Sequence, residues 1–151
     1  KRHLFTYGGE HKEYTGGDRR VIAEYKGWRI LLQVCYDLRF PVWSRNRDDY
    51  DMILYVASWP TPRVEAWNAL LKARAIENVC YVAGVNRVGD DPNCNYCGGT
   101  VLLDFLGKPL ADAGTGGQPA TLSAEADKIS LTTFREKFPA LQDADPFTLN
   151  I

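Results

Sequence analysis

The segment Ile30-Leu31-Leu32-Gln33-Val34-Cys35 is an apolar run that ends on a thiol, and Tyr36-Asp37-Leu38-Arg39-Phe40-Pro41 follows it at once with charge and a proline. This pattern reads as a buried strand that stops at a sharp turn, with Cys35 at the strand end and a helix start just beyond. Asp51–Ala57 is a near-continuous apolar run of the kind expected for a strand covered on both faces, and Val79–Val85 reads as another buried strand. Active sites of layered α/β proteins collect at strand ends. Cys35 therefore has two readings. It is a core cysteine closing a strand, or a nucleophile whose thiolate is favoured by the positive end of a helix dipole. These residues alone leave both open.

The rest of the chain reads as alternating elements. Val21–Tyr25 and Trp28–Val34 flank Lys26-Gly27 as a hairpin, after a glycine-rich loop over 8–18. Phe40 to Arg47 is a short helix or loop. Pro60 and Pro62 end the strand over 51–57. Arg63–Asn78 is the clearest helix, with Thr61 as its cap, Pro62 suited to the first helical position, and Trp67 read as core packing in preference to substrate contact. Asn86–Gly99 is a polar loop, Thr100–Phe105 a strand, and a short strand lies near Leu110. Ala120–Ala124 reads as a last strand and Lys128–Phe138 as a helix ended by Pro139. The tail from Ala140 to Ile151 is expected to pack on a surface. This order describes a mixed, layered α/β protein. The glycines supply no G-x-G-x-x-G turn at a strand-to-helix junction, so a dinucleotide fold is a poor match.

Composition removes several classes. The 151 residues carry a formal net charge of −1 and no long basic run, which argues against nucleic acid as a partner. The apolar runs are too short to span a bilayer, so no membrane partner is expected. The cysteines are Cys35, Cys80, Cys94 and Cys97. Only Cys94 and Cys97 form a C-x-x-C pair, and the second half of a tetrahedral zinc site is missing. Reduced thiols in a cytoplasmic protein are the simplest account, and no metal is expected. His3 and His11 read as exposed loop residues. By position alone, Lys1 reads as a solvated terminal residue and Glu10 as a surface acid.

Set in this context, the chain resembles the nitrilase-like carbon–nitrogen hydrolases. Lys1-Arg2-His3-Leu4-Phe5 resembles the segment that carries that family's catalytic lysine. Glu10 and Gly16-Gly17-Asp18 resemble the following loop, with its second active-site glutamate. Val34-Cys35-Tyr36-Asp37-Leu38-Arg39-Phe40-Pro41 resembles the nucleophile motif of the amidase branch. Ala73-Arg74-Ala75-Ile76-Glu77-Asn78 and Val85-Asn86-Arg87-Val88-Gly89 resemble two further landmarks. Ala57-Ser58-Trp59-Pro60 and Glu136-Lys137-Phe138-Pro139-Ala140 are most similar to the omega-amidase group, which hydrolyses the terminal amide of 2-oxo acid amides such as 2-oxoglutaramate.

The resemblance implies the following. Cys35 forms a thioester with release of ammonia. Lys1 and the Tyr36 backbone N–H stabilise the oxyanion, and Lys1 lowers the thiol pKa. Glu10 orients Lys1 or water. Arg39 and Trp59 contact substrate, although Arg39 is equally expected in an internal salt bridge to Glu77 or Asp37. No cofactor is needed; the partners are a small amide, water and a second copy in a homodimer. The family fold is a four-layer α-β-β-α sandwich, and residues 1–151 would form its C-terminal portion as part of a single domain. The general-base glutamate would precede Lys1, so an isolated 151-residue chain is expected to be inactive. The contrasting reading is a non-catalytic binding or assembly module that retains the fold.

Overall fold

A computed structural model describes residues 1–149. Strands β1 (Val21–Tyr25) and β2 (Trp28–Val34) form the expected hairpin. The short helix α1 (Pro41–Ser44) leads to β3 (Met52–Ala57), and α2 (Val64–Asn78) leads to β4 (Tyr81–Asn86). The hairpin β5 (Val88–Asp90) and β6 (Asn95–Cys97) stands apart, and β7 (Val101–Leu103) and β8 (Pro109–Asp112) return to the main sheet. Helix α3 (Lys128–Lys137) follows. The main sheet has six strands in the order β1-β2-β3-β4-β7-β8.

The three central strands are parallel. Parallel neighbours need crossover connections, which α1 and α2 provide. The register pairs Val34 with Val56 and Ala57 with Asn86. The carboxyl ends of β2, β3 and β4 therefore line up, and Cys35, Ser58 and Arg87 leave the sheet along one edge.

One face of the sheet is the main core. Leu31, Ile53, Tyr55 and Val82 pack there with Trp67, Leu71 and Ala75 of α2. Gly84 permits this approach, because a Cβ at that position would lie 2.5 Å from a Leu71 methyl carbon. On the other face, Tyr81 and Met52 are covered by Leu131 and Phe134 of α3. Farther along that face, Val21, Leu32, Val56 and Val85 remain 42–50% exposed. This chain thus supplies one sheet with helices packed on it, and an apolar patch remains on its outer face.

Four local expectations need correction. The segment over 120–124 has no regular structure; Pro119 removes a ladder donor just before it, and a strand needs a pairing partner. The polar loop over 86–99 contains the β5–β6 hairpin. Thr61 does not cap α2: a 3-10 turn over Thr61–Arg63 precedes the helix, and the Thr61 hydroxyl bonds the Asn95 side chain at 2.6 Å. β4 begins at Tyr81, because Val79 is the left-handed C-cap of α2 with φ of 44°. At the start of α3, Asp127 accepts from the Ile129 and Ser130 backbone amides, a regular N-cap. Among the described residues, no helix is long and apolar enough to cross a membrane.

Candidate active site

Cys35 stands at the end of β2 as the first residue of a 3-10 turn over Cys35–Arg39. Its φ is 49°, in the left-handed region, a conformation that costs a non-glycine residue about 1–3 kcal/mol and persists only when its surroundings enforce it. The enforcing contacts are visible. Asp37 accepts from the Val34 backbone N–H at 3.2 Å. Buried Arg74 on α2 donates to the Leu38 carbonyl at 2.5 Å. The landmark Arg74 is therefore a brace for the turn. The Cys35 sulfur lies 3.9 Å from the Ser58 carbonyl at the end of β3.

The chain start is tied to this turn. The buried carboxylate of Asp37 accepts the Arg2 and His3 backbone N–H groups at 3.1 and 2.8 Å and contacts His3 Nδ1 at 3.0 Å. His3 is thus not the exposed loop residue its position indicates; its ring stacks on Phe40 with 3.8 Å between centroids. His11 is exposed, as expected. The glycine pair holds Lys1 from the other side. The Gly17 backbone N–H donates to the Lys1 carbonyl at 2.6 Å, and a Cβ on Gly16 would lie 2.6 Å from the Arg2 carbonyl oxygen.

So anchored, the Lys1 side chain is only 16% exposed and pairs with Glu10, with Nζ 2.6 and 2.5 Å from the two carboxylate oxygens. Glu10 also accepts the Phe5 backbone N–H at 2.6 Å. Burial raises the Glu10 pKa, but the Lys1 hydrogen bond, the Phe5 amide and the Lys1 charge outweigh it and leave the carboxyl below its ordinary value. Neither residue is a solvated surface group.

The thiol behaves differently from the sequence expectation. Burial pushes the Cys35 pKa above its ordinary value, and Glu10 adds to this; the Lys1 charge and the backbone groups of Ser58 and Tyr36 lower it without reversing the sign. Lys1 acts in the expected direction, but desolvation wins. A one-turn 3-10 segment also supplies less aligned dipole than the helix start read from the sequence. Cys35 rests as a thiol, and nucleophilic attack needs a proton acceptor.

A small concavity of about 40 Å³ opens beside the sulfur, lined by Phe5, Tyr36, Arg39, Trp59, Pro60 and Arg63 among others. Arg39 forms neither of its expected salt bridges: Glu77 pairs with Arg74, and Asp37 is engaged by the chain start. Its guanidinium lies over the Trp59 ring, 5.0 Å from the centroid. Trp59 itself is buried. Asn86 clamps its backbone, accepting its N–H at 2.7 Å and donating to its carbonyl at 2.9 Å. Asp37 and Asn86 are site-building residues whose bracing roles were not expected from the sequence, although both lie in motifs that carry the family resemblance. The signal for both is a polar residue at or just beyond the end of an apolar strand. All four cysteines are free; Cys80 is wholly buried, and its pKa is pushed well up by desolvation.

The model of the carbon-nitrogen hydrolase family matches residues 1–136. The chain is 57% identical over 150 residues to the omega-amidase YafV of Yersinia enterocolitica, a match covering 99% of this chain and 58% of that protein. It is 34% identical over 145 residues to the 2-oxoglutaramate amidase of Bacillus subtilis, covering 95% of this chain and 55% of the relative. The crystal structure of XC1258 from Xanthomonas campestris, a CN-hydrolase superfamily protein with an arsenic adduct in its active site, superposes with a TM-score of 0.92 at 48% identity, covering 99% of this chain and 59% of that one. The chain thus spans somewhat over half the length of these relatives. With a strand-end cysteine, a lysine–glutamate pair beside it and a family match over nearly its whole length, this chain belongs to the carbon-nitrogen hydrolases of the nitrilase superfamily.

Proposed function

We propose that this chain carries the nucleophile and oxyanion groups of a thiol amidohydrolase that cleaves the omega-amide of a 2-oxo acid. The observation that carries the proposal is the half-buried Lys1–Glu10 ion pair, whose charges act on Cys35 at its strained turn. The substrate class follows the names of the YafV and Bacillus subtilis relatives.

In this reading the Cys35 proton passes to an acceptor as the sulfur attacks the amide carbon. The C–S bond forms, and the carbonyl oxygen becomes an oxyanion beside the Lys1 ammonium and the Tyr36 backbone N–H, the stabilisation such intermediates need. Protonation of the amide nitrogen and cleavage of the C–N bond release ammonia and leave a thioester. Water then attacks the thioester, giving the carboxylic acid and restoring the thiol. Glu10 is committed to Lys1 and Phe5 and serves to hold Lys1 in place. The proton acceptor is a further carboxylate, which the family resemblance puts ahead of Lys1, with residues 1–151 forming the C-terminal part of one domain. Arg39 contacts the substrate, the buried Trp59 ring supports it from beneath, and the working form is a cytoplasmic homodimer.

Ammonia release from 2-oxoglutaramate, simple aliphatic amides and nitriles by the full-length protein tests the reading. The expected result is preference for 2-oxoglutaramate, loss of turnover in Cys35→Ala, and an acyl adduct on Cys35 in mass spectra of the quenched enzyme. Turnover that survives Cys35→Ala overturns it. Ammonia release by the purified 151-residue chain at the full-length rate would overturn the expectation that this portion is inactive alone.

A further inference from the structure

Arg39 and Arg63 are the two basic side chains that line the concavity beside Cys35. Arg2, Arg20, Arg29, Arg45, Arg74 and Arg135, the other arginines withdrawn from bulk solvent, each donate to a protein oxygen. Arg39 and Arg63 are half-buried too, yet among the described residues neither guanidinium donates a hydrogen bond or pairs with a carboxylate. Instead each lies over an aromatic ring: Arg39 over Trp59 at 5.0 Å and Arg63 over Phe5 at 5.4 Å. A stacked guanidinium keeps its in-plane donors free for an anion. A partly desolvated cation without a partner is costly unless a ligand supplies the counter-charge.

One residue holds both. The Trp59 ring supports the Arg39 guanidinium, and the Trp59 indole N–H donates to the Arg63 carbonyl at 2.7 Å. Asn86 fixes the Trp59 backbone in turn. Two guanidinium forks offer more donors than one carboxylate can accept, and so leave some for an adjacent carbonyl oxygen. The same two charges repel an ammonium group.

We propose that Arg39 and Arg63, both positioned by Trp59, form a paired-cation clamp beside Cys35 that selects amides whose far end carries a carboxylate next to a 2-oxo group and rejects those with an ammonium there. The proposal rests on the amidohydrolase reading and adds Arg63 as a specificity-determining residue, with Trp59 as the positioning residue. It predicts discrimination between 2-oxoglutaramate and glutamine, which differ at that one carbon.

The test uses full-length protein and two readouts. The first is the ratio of kcat/KM for 2-oxoglutaramate to that for glutamine. Arg63→Gln is expected to reduce this ratio by about tenfold to a hundredfold, the range for a hydrogen bond to a charged group, mainly through KM for the 2-oxo substrate. Trp59→Phe keeps a ring under Arg39 but loses the N–H to Arg63. It is expected to lower the ratio in the same direction, while Trp59→Leu lowers it further. The second readout is glutarate affinity of the Cys35→Ala protein by calorimetry, expected to weaken on adding either Arg39→Gln or Arg63→Gln. An unchanged substrate ratio in Arg63→Gln, or equal glutarate affinity in C35A and C35A/R63Q, overturns the clamp. A protein that hydrolyses no amide overturns the amidohydrolase reading alone, because glutarate binding reports on the clamp without turnover.

Discussion

The carboxylate of Asp37 accepts the His3 backbone N–H at 2.8 Å and so ties the irregular segment carrying Lys1 to the turn carrying Cys35. The same carboxylate takes the Arg2 and Val34 amides. One buried acceptor thus links the segment of the cation to the turn of the nucleophile. Asp37→Asn turns one of the two acceptor oxygens into a donor and strands at least one of these groups, at about 1–3 kcal/mol each. For a domain of this size, that predicts a Tm lower by several degrees, at about 2–4 °C per kcal/mol. Thermal unfolding followed by circular dichroism checks this, and an unchanged Tm contradicts the bracing role.

The raised Cys35 pKa has a direct chemical readout. Iodoacetamide reacts with thiolate, so labelling of Cys35 in this chain is expected to be slow at neutral pH and to accelerate as the pH rises through and beyond 9.0, the ordinary thiol value. Lys1→Met removes a charge that favours thiolate and should move the labelling profile to still higher pH. In the full-length enzyme, the same substitution removes an oxyanion partner and should lower kcat by about a hundredfold to a thousandfold. A profile that levels off near neutrality would show that desolvation does not dominate this thiol.

Far from the site, Asp51 predicts acid sensitivity. Burial raises its pKa, but hydrogen bonds and charge from Arg29, together with Lys128, outweigh this and hold the carboxyl at about 2 instead of 3.8. A folded-state pKa below the unfolded value means the carboxylate stabilises the fold in full above about pH 4, and that this contribution fades as the pH falls toward 2. Arg135 joins the same carboxylate at 3.3 Å and anchors α3. Asp51→Asn should therefore lower Tm at neutral pH and flatten the loss of stability between about pH 4 and pH 2. Urea unfolding midpoints across that range measure it, and parallel curves for the two proteins would refute it.

Gln33 points the other way. It is buried on the α2 side of β2, and neither its amide nitrogen nor its amide oxygen has a partner among the described residues. Replacing an unsatisfied buried polar group by an apolar one of similar shape is neutral or stabilising. Gln33→Met should keep or raise Tm; a fall of several degrees would mean that the amide is satisfied in solution.

The strands over Val21–Tyr25 and Trp28–Val34, the core of the strand ending at Ala57, the body of the helix ending at Asn78 and the helix over Lys128–Lys137 were legible from periodicity and turn residues, because hydrophobic spacing and breakers act over a few residues. The strand-end placement of Cys35 was legible for the same reason. Lys1 and Glu10 were not: spacing alone makes them surface residues, and only the family resemblance marked them. What the tertiary structure decided is long-range. Asp37 meets His3 across 34 positions, and Asn86 meets Trp59 across 27. Local pattern marks Asp37 and Asn86 as polar residues at strand ends, but it does not say which distant group each one reaches. The state of Cys35 is of the same kind, since its sign depends on how much water the packed turn excludes relative to the charge Lys1 brings. The sequence by itself determined which strand ends in a thiol. The fold determined that the thiol is strained, desolvated and protonated at rest, with a cation held beside it.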